Sequence, residues 1–321
     1  MIRRFCVAPM MDRTDRHERY FLRTLSKEML LYTEMIHANA IIHGNKDNLL
    51  KYHASEHPLA IQLGGSNAED LLEASIIAEG KGFDEINLNI GCPSPRVQSG
   101  SFGAVLMKQP YLVRDCLKLL VEKTNIPVTV KCRIGVDEMD EDKDLDNFVT
   151  IVKDSGCKTF IIHARKAWLK GLSPKDNREI PPLNYERVYR LKDSFPDLEI
   201  IINGGIETTN DALEHLKFVD GVMVGRSAYD NPYPLVNVDK EIYNRSKQIP
   251  TRAEVLEGLI PYMENEIKDG NKLGYVTKHL MGLFKNTKHA KKARYTLANI
   301  NDDIYPMEKF KFLINETKEL C

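Results

Sequence analysis

Eight short apolar runs, separated by stretches of helical periodicity, constrain this chain more than any other feature. They read FCVA near Phe5, LLYT near Leu31, LAIQL near Leu59, INLNI near Ile86, VTVKC near Val128, FIIHA near Phe160, EIIING near Ile200 and GVMVG near Val222. Short apolar runs bounded by turn-forming residues are the pattern of buried strands, and strands that alternate with helices make parallel βαβ units. Eight such units predict an α/β fold of the (β/α)8 TIM barrel type. An open doubly wound sheet is the alternative, but no GxGxxG follows the first strand to supply its usual dinucleotide fingerprint. Past Asn231-Pro232-Tyr233-Pro234 the pattern becomes helical throughout, with helices expected over 253–268, 275–284, 291–299 and 307–319. The expected division is a catalytic barrel over 1–240 and a small all-helical domain over 241–321.

Composition narrows the class. The chain has 321 residues, 42% hydrophobic and 28% charged, which is ordinary for a soluble globular protein of this size. No run approaches the roughly 20 apolar residues of a membrane span, and the N-terminal MIRRFCVAPMMDRTDR turns polar by Asp12, so a cytoplasmic location without a signal peptide is expected. Cys6, Cys92, Cys116, Cys132, Cys157 and Cys321 include no CxxC pair, which points to reduced thiols and to neither a disulfide framework nor a zinc site. In the stretch 111–123, Leu112, Cys116, Leu119 and Leu120 fall on one helical face, making Cys116 a packing residue. The carboxylate-rich stretch 136–146 reads as a solvated loop entering a helix N-terminus. A formal net charge of −1 excludes a uniformly basic nucleic-acid binder and leaves room for a local basic patch.

The chemistry is expected in DEINLNIGCPSPRVQSGSFGAVLM, residues 84–107. Ile86, Leu88 and Ile90 alternate with Asn87 and Asn89, and Gly91 and Pro93 stop the strand, so Cys92 stands at a strand mouth. Free cysteine is usually a small buried residue, but the carboxyl ends of barrel strands are where ligands bind, and there Asn89 and Cys92 face the site. Alternation in VTVKCRIG likewise sets Thr129, Lys131 and Arg133 on one side, and in FIIHARKAW it sets Ile161, His163 and Arg165 together. Lys131 and His163 thus end successive strands as cationic or donor groups. Asn203-Gly204-Gly205 and Gly225-Arg226 follow the last two strands, the loops that in such barrels commonly hold a phosphate through backbone N–H groups and an arginine. Gln62 and the ledge Pro9-Met10-Met11 join the same rim. A phosphate site, a polar edge and an apolar ledge together fit a flavin mononucleotide, FMN.

The stretches APMMDRTDRHERYF, NLNIGCPSPRVQSGSFGAVLM, VKCRIG, IIHARKAWLKGLSPKDNR and INGGI resemble the tRNA-dihydrouridine synthases, the synthase A subgroup in particular, and the similarity runs over nearly the whole chain. The resemblance implies an oxidoreductase with an FMN-bearing barrel and a C-terminal helical domain that binds tRNA. The implied reaction reduces uridine to dihydrouridine at positions 20 and 20a of the D-loop, with NADPH as electron source. It implies FMN contacts at Pro9, Met10, Met11, Gln62, Lys131, His163, Asn203, Gly204, Gly205, Gly225 and Arg226, a proton donor at Cys92, and tRNA contacts at Asn89, Lys175, Arg178, Lys291 and Arg294. It implies no metal, no membrane and no obligate protein partner. The C-terminal KNTKHAKKARYTL departs from the glycine-rich, more arginine-rich version of many family members.

The chemistry is arguable on its own terms. The C5=C6 bond of uracil is conjugated to the C4 carbonyl and accepts hydride at C6, after which C5 needs a proton. An ordinary thiol, with a pKa of about 8.5, carries that proton at neutral pH. The basic cluster of Lys285, Lys288, His289, Lys291, Lys292 and Arg294 suits RNA phosphates. Two other readings stay open: a small-molecule flavin reductase of the dihydroorotate dehydrogenase type, which needs no basic helical domain, and a tRNA-binding folding helper without catalysis.

Overall fold

The computed structural model describes residues 2–246 and 248–319; Cys321 lies outside them. Eight parallel strands, β1 (Phe5–Val7), β2 (Leu30–His37), β3 (Leu59–Gly64), β4 (Glu85–Asn89), β5 (Val128–Arg133), β6 (Thr159–His163), β7 (Glu199–Asn203) and β8 (Gly221–Val224), close in sequence order into a barrel. The expected (β/α)8 fold is therefore present.

Alternation along each strand splits the core in two. Cys6, Ala8, Leu30, Tyr32, Ala60, Ile161, Ile201 and Met223 form one buried cluster, the lumen filling. Their strand neighbours, among them Val7, Leu31, Ile61, Leu88, Val130, Ile162, Ile202 and Val222, belong to the large cluster under the surrounding helices. Both faces of each strand are buried, which is why the strands read as continuous apolar runs.

The lumen floor is polar. Arg3 reaches Glu85 at 2.6 Å and Glu199 at 2.8 Å, while Tyr32 and Thr129 donate to Glu85 and Thr159 donates to Glu199, each at 2.7 Å. Such a network fixes geometry more than it adds stability, but removing either Arg3 or Glu85 alone strands a buried charge at a cost of about 3–5 kcal/mol.

The helix Pro110–Lys123 buries Val113, Cys116, Leu117 and Leu120. Its stripe thus centres one position away from the expected face, with Leu112 and Leu119 at the margins, and Cys116 packs as expected. The helix expected over 253–268 is two helices, Arg252–Glu257 and Ile260–Lys268. Pro261, which has no N–H to give, sits in the first turn of the second, where none is needed. The stretch 275–284 forms Gly274–Thr277 and a 3-10 turn, Lys278–Gly282, and the last two helices run Ala290–Ala298 and Pro306–Lys318. These C-terminal helices pack on the first barrel helix, Arg16–Leu25: Arg16 clasps Glu266 and donates to Tyr262, and Tyr20 stacks on Tyr262 with ring centres 4.1 Å apart. Among the described residues no helix is long and apolar enough to cross a membrane.

Candidate active site

Strand register brings the expected residues to one mouth. Asn89 pairs with Lys131 across β4 and β5, Arg133 with His163 across β5 and β6, and His163 with Asn203 across β6 and β7. Asn89, Arg133, His163 and Asn203 end their strands, and Lys131 lies two residues before the end of β5.

The turn bearing Cys92 is held from three sides. Asn89 Oδ1 accepts the N–H groups of Gly91 and Cys92 at 3.1 and 3.0 Å. Arg133 Nε donates to Gly91 O at 2.9 Å, and its NH1 reaches the carbonyls of Lys166 and Asn177 at 3.0 Å, so one buried guanidinium ties the thiol turn to the loop after β6. Ala104 N donates back to Cys92 O at 2.9 Å. Gly103, at φ +71°, leaves no room for a side chain, since a Cβ there would stand 2.7 Å from that same carbonyl. Cys92 is partly exposed while Cys6, Cys116, Cys132 and Cys157 are buried. Its Sγ lies 3.6 Å from Ser94 Oγ.

On the neighbouring strands, Lys131 Nζ donates to Asn203 Oδ1 at 3.0 Å, and Asn203 Nδ2 donates to Met223 O at 2.7 Å. Gly204 and Gly205 adopt φ of +121° and +69°, and a Cβ on Gly204 would stand 2.8 Å from the His163 ring. Tyr185 OH, donating to Gly204 O at 2.9 Å, braces that turn from outside. Gly225 opens onto free space.

The electrostatics are one-sided. Burial, with Arg133 beside it, lowers the Lys131 ammonium to a pKa of about 8, although the side chain keeps some solvent contact at the open mouth. Burial and the cations Arg133, Lys131, Arg165 and Arg178 hold His163 well below its ordinary value, so the imidazole is neutral at pH 7. Burial also brings Arg133 down to about 10. The leading influences on these three groups include other cations and thiols but no carboxylate. A mouth that gathers this many cations is suited to an anion or an electron-rich ring.

The other expected residues spread around this centre. Gln62 lies inside β3 rather than at its end, buried and hydrogen-bonded to Asn87 and Asn89. Met10 packs on the lumen cluster, whereas Met11 is exposed. Arg226 is exposed on the rim, paired with Glu179 at 2.7 Å and bonded to Arg178 O. Lys175 and Arg178 are exposed on a loop folded around buried Asn177, whose side chain bonds Trp168 N at 2.7 Å. Lys291 and Arg294 lie apart on the Ala290–Ala298 helix, where Arg294 bonds its own helix at Ala290 O. There Arg252, Lys288, His289 and Lys292 line a cavity of about 450 Å³ backed by Phe284 and Leu313. Sequence reasoning gave no function to Asn87 or Asn177, and it set Arg133 on the lumen side of its strand without a role. For Asn87 and Arg133 strand alternation was a signal, although the carbonyls that Arg133 binds lie 33 to 44 residues away; Asn177 bonds the backbone of its own loop at Trp168, Leu172 and Ser173, where no periodicity marks it. Among the described residues no cluster of three or more His, Cys, Asp or Glu could hold a metal ion.

Comparison with known proteins agrees with this geometry. Residues 6–317 match a family model described as dihydrouridine synthase. The chain is 54% identical over 293 residues to the tRNA-dihydrouridine(20/20a) synthase of Synechocystis sp., covering 91% of this chain and 88% of that one. To the synthase of the same name from Escherichia coli (strain K12) it is 53% identical over 296 residues, covering 92% and 86%. Among solved structures, a 2-naphthoyl-CoA reductase in complex with 2-naphthoyl-CoA superposes with a TM-score of 0.58 at 10% identity over 77% of this chain. The chain spans about half of that reductase, 51%, and the likeness is one of fold.

Proposed function

Because the chain belongs to the dihydrouridine synthase family, we propose that it reduces uridine to 5,6-dihydrouridine in the D-loop of tRNA, at positions 20 and 20a, using FMN and NADPH. The observation that carries this reading is the anchored Cys92 turn at the same barrel mouth as Lys131, His163 and Asn203.

The residues fit FMN. Gly204 and Gly205 form a cradle that side chains would fill, Gly225 leaves open space beside Arg226, and four cations, Arg133, Lys131, Arg165 and Arg178, act on His163, with Glu179 set against the outer two. Lys131, His163, Asn203 and Gln62 would hold the ring and its polar edge, Met10 would offer it an apolar contact, and Arg226 would hold the phosphate. Bound there, FMN supplies the hydride that uracil accepts at C6, and NADPH supplies the electrons. Cys92 gives the proton to C5, and the resulting thiolate regains one from solvent through its open side, where Ser94 Oγ stands close. Neutral His163 offers a hydrogen bond without adding charge. The target base must leave its stack to reach such a recessed thiol. The barrel over 1–240 carries this chemistry, and the helices over 241–321, with Lys175 and Arg178, supply phosphate contacts. A substrate of this kind places the protein in the cytoplasm.

Incubating the purified protein with NADPH and unmodified tRNA, then mapping dihydrouridine by nuclease digestion and mass spectrometry, tests the reading. Dihydrouridine at 20 and 20a is expected. Dihydrouridine at 16 or 17 alone would overturn the positions, and turnover of free pyrimidines without tRNA turnover would favour the small-molecule reductase.

A further inference from the structure

A line of hydrogen bonds runs from the Cys92 turn to the barrel floor. Gly91 and Cys92 N–H donate to Asn89 Oδ1; Asn89 Nδ2 donates to Gln62 Oε1 at 2.8 Å; Gln62 Nε2 donates to Asn87 Oδ1 at 2.8 Å. Asn87 Nδ2 then donates to Thr129 Oγ1 at 2.9 Å, and the Thr129 hydroxyl donates to Glu85 Oε1 at 2.7 Å, with the Ile86 carbonyl a longer second acceptor at 3.4 Å. Arg3 and Tyr32 hold Glu85 from the other side.

The direction of this line is forced from both ends. A carboxylate and a carbonyl only accept, so the Thr129 hydroxyl spends its one proton on them and can only accept from Asn87. Asn87 must therefore turn its nitrogen to Thr129 and its oxygen to Gln62, which orients Gln62 and then Asn89 in the same sense. At the upper end, backbone N–H groups only donate, and they require the same orientation of Asn89. Asn87, Thr129 and Glu85 are fully buried and Gln62 nearly so. Flipping one amide would oppose like groups at two junctions where water cannot compensate.

We propose that Thr129 and Asn87 are positioning residues for the reaction, setting the amide orientation of Gln62 and Asn89 from below and, through Asn89, the aim of the Cys92 thiol. This rests on Cys92 as the proton donor to C5. Neither residue reaches the substrate; both act through the turn.

Thr129→Val removes the hydroxyl at similar volume, and Thr129→Ser keeps it. In Thr129→Val, hydrogen exchange at Gly91 and Cys92 and iodoacetamide labelling of Cys92, followed by peptide mass spectrometry, should both rise. Dihydrouridine formation should fall about tenfold or more, the scale on which misaimed reacting groups lose rate, with KM for tRNA little changed. Thr129→Ser should restore all three. Asn87→Asp adds a signature that loss of packing would not give. A neutral carboxyl presents one donor and one acceptor, as the amide does, whereas the carboxylate presents acceptors alone. The activity of Asn87→Asp relative to the native protein should therefore rise as pH falls. Native exchange, labelling and turnover in Thr129→Val would overturn the proposal; if that variant does not fold, a ratio independent of pH in Asn87→Asp would overturn it. Full activity of Cys92→Ala would remove the thiol's assigned role, while the exchange measurement would still report separately on the relay.

Discussion

Asn89 Oδ1 accepts the backbone N–H of Cys92 at 3.0 Å, so the residue that ends β4 also caps the turn that presents the thiol. The thiol is held by backbone contacts, and replacing it should leave the turn in place. Cys92→Ala is expected to keep its flavin and its reduction by NADPH while losing about 10² to 10⁴ in dihydrouridine formation, the usual contribution of a positioned acid. Cys116→Ala should be nearly silent in turnover, because that thiol packs under a helix with burial pushing its pKa up to about 11. Flavin absorbance together with nucleoside mass spectrometry checks both. Near-native turnover of Cys92→Ala would exclude the assigned role.

The glycine pair after β7 makes a second expectation. Gly204 combines a φ of +121° with a neighbour, His163, only 2.8 Å from where a Cβ would stand. Gly204→Ala therefore meets backbone strain of about 1–3 kcal/mol and must also displace the imidazole. It should lower both thermal stability and flavin occupancy, measured by calorimetry and by the flavin-to-protein absorbance ratio. Arg226→Ala, at an exposed ion pair with Glu179, should lower occupancy with little change in stability.

Lys131 and His163 give the site a pH dependence whose sign is fixed. Both have folded values below their unfolded ones, so the unfolded chain binds more protons and stability rises with pH across each window. For His163 the loss comes as pH drops below about 6.5, and for Lys131 the gain comes as pH climbs from about 8 toward its ordinary 10.5. Flavin binding should run the other way at high pH. Above about 8 the free protein loses the Lys131 charge, so affinity should decline by up to about tenfold per pH unit, and Lys131→Met should bind weakly with that slope removed. Fluorescence titration between pH 6 and 10 distinguishes these outcomes.

Much of the barrel was legible because strands buried on both faces cannot avoid long apolar runs, and the alternation of Asn87 and Asn89 with leucine and isoleucine marked which side chains enter the lumen. The family resemblance supplied the roles that alternation could not, Cys92 as donor among them. What stayed hidden was held at long range. Arg3 finds Glu85 and Glu199 across 82 and 196 residues, and Arg133 binds carbonyls that only the closed barrel brings near. The break at Gly258 was missed because the residues on either side keep helical spacing. It takes Pro261, which has no N–H to bond the carbonyl of Glu257, rather than the apolar pattern, to separate the two helices, since Gly258 itself keeps a helical φ of −60°.

The C-terminal basic stretch divides its charges in a way that sharpens the last expectation. Lys292 is paired with Glu316, and Arg294 bonds the carbonyl of Ala290 through Nε, whereas Lys291 is exposed on the same helix. An exposed pair such as Lys292 with Glu316 contributes about 0–1 kcal/mol and yields readily to a phosphate. If the helix meets tRNA, Lys291→Glu with Arg294→Glu should weaken binding while sparing NADPH oxidation by the bound flavin, since neither residue touches the barrel mouth. Each lost phosphate contact should also reduce the slope of log K against log salt by about 0.7 to 0.9, so the double variant should flatten that slope by about 1.4 to 1.8. Glu316→Gln, which frees Lys292, should change binding in the opposite sense. Equilibrium binding of labelled tRNA over a salt series reads all three at once, and an unchanged slope in the double variant would place tRNA on the 170–178 loop and the barrel rim instead.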